Sequence, residues 1–318
     1  MNINLAIAER ARNHESLTAA ELDELATADL LSLGMLADEV RRARVGDVVT
    51  FVRVAEWTAP PARQGAAGAS RDHSSDVAPS QEEVAGVPLG GEVRIMSLPA
   101  TLAGALESID RAKVGLGTRV LSGFSLADII DRGWGGLGDV LTQLKDAGLN
   151  AITEAPLDRT ENAEAALDAC QRAGLAVQCL SLQKPNGAGR TSMLVQARVL
   201  AAGFPWLTAI APLAREQSVA VPTTGFDDVR AVALARLALP ALPNVQVDWA
   251  QYGPKLAQVA LTFGANDLDR VSLIDDDSLG RRRTSLEDVM RNITAAGFQP
   301  RERNPFALSR SQRQGTLE

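Results

Sequence analysis

The sequence predicts an α/β fold: a (β/α)8 TIM-type barrel, closed or slightly open, behind an N-terminal helical extension. Three observations predict it. Short β-branched or apolar runs alternate with segments of helical periodicity, the pattern of strand–helix units laid into a parallel sheet. Glycine ends helix after helix in the same way: Gly148 in Asp-Ala-Gly-Leu, Gly174 in Arg-Ala-Gly-Leu and Gly297 in Ala-Ala-Gly-Phe, each placed to turn the chain left-handed into the next strand. The length, 318 residues, suits one such barrel with additions.

Residues 1–46 form the lead-in. A helix is expected from Leu17 to Arg44, capped by Thr18 or Ser16 with Glu21 in its first turn, and apolar residues recur through Leu22, Leu25, Leu30, Leu33 and Leu36. Gly34 is the point at which it would divide. The barrel takes residues 47–304. Its strands are expected at Val48–Val54, Glu92–Met96, Thr118–Leu121, Asn150–Thr153, Leu175–Leu180, Leu207–Ile210, Val245–Trp249 and Val271–Ile274. Helical patterns fall at Ala103–Arg111, Leu137–Ala147, Ala163–Ala173, Thr191–Ala202, Phe226–Leu239, Lys255–Phe263 and Leu286–Ala296. Residues 59–91 break the rhythm. They are rich in Ala, Gly, Ser and Pro with few apolar anchors, predicting a flexible loop with a short helical piece near Gln81–Val84. Residues 305–318 read as a loosely ordered tail.

Composition narrows the function classes. The chain is 46% apolar and 22% charged, enough to bury a full core, and no apolar run approaches the ~18 residues a membrane span requires. A net charge of −7 argues against a nucleic-acid binder, so neither nucleic acid nor membrane is expected as a partner. The opening Met1-Asn-Ile-Asn-Leu5 lacks a basic region followed by an apolar stretch, and two cysteines fit a reducing compartment, so a cytoplasmic location is expected.

Several groups are candidates for chemistry. Glu154 falls just past the fourth strand, at the barrel end where such folds carry their sites. Glu56 after the first strand, Lys184 after the fifth, Arg215 and Glu216 after the sixth, and Asp248 and Tyr252 around the seventh share that face. A mouth lined in this way either binds a polar small molecule or closes into a mutually paired polar plug. Cys170 and Cys179 read as small core hydrophobes rather than a redox pair or metal ligands. Asp72, His73 and Asp76 could contact a metal, but they lie in the loop, where nothing fixes the backbone. Gly133-Trp-Gly-Gly-Leu-Gly138 lacks the Lys-Ser/Thr ending of a phosphate loop and reads as a glycine-capped turn, with Trp134 able to pack over the mouth. Asp275–Asp277 followed by Arg281–Arg283 would set a cation site beside an anion site.

Along nearly its whole length the chain resembles the aminofutalosine synthase and dehypoxanthine futalosine cyclase family, radical-SAM enzymes of menaquinone biosynthesis. The residues that carry the likeness are Thr224-Gly-Phe-Asp-Asp-Val-Arg230, Ala235-Arg-Leu-Ala-Leu239, Trp249, Gly253-Pro-Lys-Leu-Ala-Gln-Val-Ala-Leu261 and Phe263-Gly-Ala-Asn-Asp-Leu-Asp269. Gly46–Phe51, Leu137–Leu149 and Ala296–Arg303 add weaker support. The resemblance implies a radical-SAM-like barrel, but the departures fall at its sites of chemistry. Where the family has a Cys-x3-Cys-x2-Cys loop after the first strand, this chain reads Arg53-Val-Ala-Glu-Trp57-Thr-Ala-Pro60. The family's Gly-Gly turn after the second strand is Met96-Ser-Leu-Pro99, its Gly-rich turn after the fourth is Thr153-Glu-Ala-Pro156, and its Gly-His segment after the fifth is Ser181-Leu-Gln-Lys184.

The expectation is therefore a cluster-less, radical-SAM-like paralogue of aminofutalosine synthase, with the 4Fe–4S cluster and SAM lost. It would bind a small molecule or act as an accessory of the futalosine pathway, alone or in a homo- or hetero-oligomer with a catalytic homologue. The alternative is an enzyme with new non-radical chemistry, a lyase or hydrolase using Glu154 and Lys184.

Overall fold

The computed structural model describes residues 3–58, 91–114, 116–183, 189–214, 224–273 and 286–305. The expected loop lies almost wholly outside them, as do His73, the 275–283 charge run and the residues after 305.

Parallel strands β1 (Val48–Trp57), β2 (Glu92–Ile95), β3 (Val120–Ser125), β4 (Ala151–Pro156), β5 (Ala176–Val177) with β6 (Leu180–Ser181), β7 (Ala209–Ala211), β8 (Asn244–Asp248) and β9 (Asp267–Ser272) follow one another around a barrel. It closes where β9 pairs with β1 through Thr50↔Asp267 and Val54↔Ser272. This is the predicted (β/α)8 architecture. The fifth stave is two short pieces on either side of Gln178 and Cys179, whose backbone still bonds to β4: the Gln178 amide donates to Ile152 O and the Cys179 carbonyl accepts from the Ala155 amide, both at 3.0 Å. A further strand, β10 (Gln299–Glu302), pairs with the first half of β1. The amides of Gln299 and Arg303 reach the carbonyls of Asp47 and Phe51, on the edge of β1 whose far end, Trp57, serves β2. β10 thus fills the edge that the stagger of β2 leaves open below.

The outer layer contains α4 (Leu102–Ala112), α5 (Leu126–Arg132), α6 (Leu137–Ala147), α7 (Ala163–Ala173), α8 (Arg190–Gly203), α9 (Gly225–Ala238), α10 (Trp249–Thr262) and α11 (Leu286–Ala295). Gly148 and Gly174 end α6 and α7 in the left-handed conformation, as their spacing predicted. α10 begins earlier than expected. Asp248, the last residue of β8, caps it by accepting from the Gln251 amide at 2.9 Å, and Gly253 (φ 72°) kinks the chain before the predicted segment.

The lead-in is three helices, α1 (Leu5–Arg12), α2 (Ala19–Ala26) and α3 (Leu30–Val45). The break falls at Thr27–Asp29, where Asp29 caps α3, and not at Gly34. Gly34 sits inside α3 because the Phe263 ring packs there: a Cβ would lie 2.5 Å from it. α3 covers α9, which is buried on nearly every face, so the all-round apolar composition of 226–239 reflects a helix packed on both sides. Among the described residues, no helix is long and apolar enough to cross a membrane.

Candidate binding site at the barrel mouth

Inward-facing strand positions of such barrels are usually branched aliphatics. Here they are charged. Glu92 and Arg94 on β2, and Asp267 and Asp269 on β9, alternate with apolar residues that point outward under the helices. At the bottom, Arg303, just after β10, donates to both carboxylate oxygens of Asp267 at 2.6 and 2.8 Å; Thr50 and Gln246 also donate to Asp267. Above it, Arg94 grips both oxygens of Asp269 and pairs with Glu92 at 2.7 Å, while the Ser122 hydroxyl donates to Glu92. Burial opposes the charge on Arg94, but Asp269 and Glu92 outweigh it and hold its pKa well above the ordinary arginine value. The same balance raises Arg303 beside Asp267.

The barrel is not filled to the top. A cavity of about 280 Å3 opens over this floor, lined at one side by Asp248, Gln251 and Arg270 and at the other by Phe124, Ser125, Thr153 and Glu154. Arg270 donates to Asp248 at 2.9 Å and to Glu56 at 2.7 Å, and these two carboxylates raise its pKa against the effect of burial. Glu154 is buried and accepts from Gln183 Nε2 at 3.1 Å. Gln183 is itself set by Asp158, which accepts from its backbone amide, and by Arg159, which donates to its side-chain oxygen at 2.6 Å.

Backbone strain marks the same place. Phe124 (φ 65°) and Arg270 (φ 54°) adopt the left-handed conformation that bulky residues avoid, and both line the cavity. Among the described residues, His14 is the other non-glycine residue with positive φ.

Of the residues singled out from sequence, the fold brings Glu56, Asp248 and Glu154 to the mouth. Tyr252 is turned aside, donating its hydroxyl to the Ala214 carbonyl. Lys184, Arg215 and Glu216 lie outside the described residues. Trp134 does not cover the mouth; it packs on the outer wall, where its indole donates to Ala100 O at 3.0 Å. Arg94, Arg270, Asp269 and Gln183 were missed. The signal was present in Glu92-Val-Arg94-Ile and Asp267-Leu-Asp269: with the outer face covered by helices, alternating charges must enter the barrel.

Both cysteines are buried. Cys170 faces the core from α7, and burial pushes its thiol up to about 12. Cys179 donates to Thr153 O at 3.6 Å. Among the described residues, no group of three or more His, Cys, Asp or Glu could hold a metal ion.

Residues 198–313, roughly the last third of the chain, match the family described as the CofH/MqnC C-terminal region. The chain is 38% identical over 88 residues to a 5-amino-6-(D-ribitylamino)uracil–L-tyrosine 4-hydroxyphenyl transferase of Archaeoglobus fulgidus, covering 26% of each. It is 34% identical over 87 residues to an aminodeoxyfutalosine synthase of Streptomyces coelicolor, covering 26% of this chain and 22% of the relative. It is 47% identical over 57 residues to that of Thermus thermophilus, covering 18% and 15%. These matches span about a quarter or less of the relatives' length. The fold is shared more widely. Methylornithine synthase superposes with a TM-score of 0.64 at 14% identity, covering 93% of this chain and 97% of that one. The hydrogenase maturase HydG of Carboxydothermus hydrogenoformans gives 0.60 at 14% identity, covering 93% and 78%.

Proposed function

We propose that this relative of the CofH/MqnC family has given up the iron–sulfur cluster and SAM and binds a polar small molecule at its barrel mouth. The observation that carries the reading is the cavity itself, walled by the two strained residues Phe124 and Arg270 above a floor of buried ion pairs. Strain of this kind costs about 1–3 kcal/mol per residue and persists where the surroundings hold a site in shape. A cluster of the family's type needs three thiolates, whereas this chain has two thiols, both buried and one shifted away from ionisation. Among the described residues, Glu154, Asp248 and Glu56 outnumber the rim cation Arg270, which favours a ligand rich in hydrogen-bond donors, of the nucleoside or amine kind. This would tie the chain to futalosine metabolism as a binding protein, or as an accessory that co-purifies with a catalytic homologue.

Anaerobic reconstitution with ferrous iron and sulfide tests the first half. No stoichiometric 4Fe–4S absorbance and no reductive cleavage of SAM are expected; either signal overturns the reading. Calorimetry with aminodeoxyfutalosine, repeated on E154Q, tests the second.

A non-radical lyase or hydrolase is the second reading. It is favoured by Glu154, a buried carboxylate at the cavity wall held by a neutral amide. Turnover of a mouth ligand that is lost in E154Q would select it.

A further inference from the structure

We propose that, with the mouth as the binding site, Arg159 is the positioning residue that selects its ligand. Arg159 turns the Gln183 amide so that its N–H faces Glu154, and the mouth then takes a ligand that donates to Glu154, of the amidine or amine class.

Glu154 lines the cavity, and Gln183, 4% exposed, backs it by donating from Nε2 at 3.1 Å. A guanidinium carries donors only. Arg159 Nη1 stands 2.6 Å from Gln183 Oε1, so that edge of the amide is the carbonyl and the edge toward Glu154 is the N–H. Turning the amide over would set donor against donor at Arg159 and acceptor against acceptor at Glu154. The Gln183 backbone is fixed too, its amide donating to both Asp158 oxygens at 2.9 and 3.0 Å.

The same guanidinium ties the two walls of the cavity together. Its Nη2 holds Asp128, at 2.8 Å, and Asp131, both on α5. Asp128 lines the cavity with Phe124 and Ser125, which lead into that helix. Ile95, Met96 and Leu98 add an apolar flank that suits a flat ring. A carboxylate on that ring would meet Glu154 as acceptor against acceptor, whereas an amidinium would meet it as a donor.

Charge alone predicts the opposite response to loss of Arg159. Its removal leaves Asp128 and Asp131 uncompensated, makes the mouth more negative and would tighten a cation. Positioning through Gln183 predicts that the cation is held less well.

Calorimetry on the full chain tests this with benzamidinium, which donates and never accepts, and with benzoate, which only accepts. Saturable binding of benzamidinium is expected, lost in E154Q, with benzoate at least about 10-fold weaker. R159M should weaken benzamidinium about 10-fold, and R159K, which keeps a donor and the charge, should restore most of it. In ligand-free protein the 15N–1H signals of the Gln183 side-chain amide, assigned from Q183L, should be dispersed in the wild type and R159K and collapse to the free-glutamine position in R159M. If melts show that R159M does not fold, Q183L makes the same binding test, because it leaves Arg159 on Asp128 and Asp131. Benzamidinium bound by the folded variant as tightly as by the wild type, or more tightly, overturns the proposal and leaves the mouth as a binding site; so do unmoved Gln183 signals in R159M. No binding to the wild type, or binding indifferent to E154Q, overturns the mouth as the site and this role of Arg159 with it.

Discussion

Arg94 on β2 reaches past β1 to Asp269 on β9, donating from both terminal nitrogens to its two carboxylate oxygens at 2.8 and 2.9 Å. With Glu92 held at the same guanidinium, the centre of the barrel is an ion-paired core instead of an aliphatic one. Such a pair is weak grounds for stability in itself, because removing charges from water offsets most of their attraction. Breaking it is another matter. R94M leaves Glu92 and Asp269 buried without their cation, and a loss of about 3–5 kcal/mol is expected in denaturant unfolding. The triple variant E92Q/R94M/D269N should recover most of it; a larger loss in the triple would refute the ion-paired account.

Gly34 and Phe263 make a prediction whose sign depends on one ring. Alanine is worth about 1 kcal/mol more than glycine inside a helix. Its Cβ, however, would lie 2.5 Å from the Phe263 ring, and overpacking costs about 1–3 kcal/mol. G34A should therefore be neutral to destabilising in the native sequence and stabilising in an F263A background. Chemical denaturation of the four proteins of this cycle reads the reversal.

Cys170 gives a pH dependence. Its thiol is raised from 9.0 to about 12 by burial, so the folded state keeps a proton that the unfolded chain releases. The stability this contributes is complete below pH 9 and is lost as pH climbs toward about 12. The advantage of the wild type over C170A should shrink across that window. At pH 8 an alkylating reagent should leave Cys170 unmodified until guanidinium unfolds the chain.

Arg236 is 1% exposed and is held by acceptors alone: Gly264 O at 2.8 Å, Pro243 O at 3.0 Å and Asn266 Oδ1. Burial depresses its pKa to about 9. R236M strands the Gly264 and Pro243 carbonyls, while Asn266 Oδ1 keeps the Val245 amide at 2.9 Å, and at about 1–3 kcal/mol for each buried orphan the variant should be clearly destabilised. Retained wild-type stability would show that water replaces the guanidinium there.

Parts of this molecule were legible along the chain. Alternating strand and helix periodicity, with glycine after α6 and α7, specified the parallel barrel, because local backbone preference and burial pattern agree at each step. Glu56, Asp248 and Glu154 could be placed at the mouth because residues at the carboxyl ends of barrel strands converge there. The break in the lead-in was misplaced: Asp29 is a weak local signal beside a glycine, and the reason for Gly34 is a ring that lies over 200 residues away in the chain.

The sequence by itself determined the fold class, the family resemblance and the shortage of thiols, since each is a property of residue order and composition. Tertiary structure alone decided how the charges are spent. Arg94 neutralises Asp269 and Glu92 below, Arg270 bridges Asp248 and Glu56 above, and a cavity remains between that bridge and Glu154. Pairings of this kind depend on strand stagger and on distances of a few ångströms between segments remote in sequence, and electrostatic energy at that range is set by geometry that no local pattern encodes.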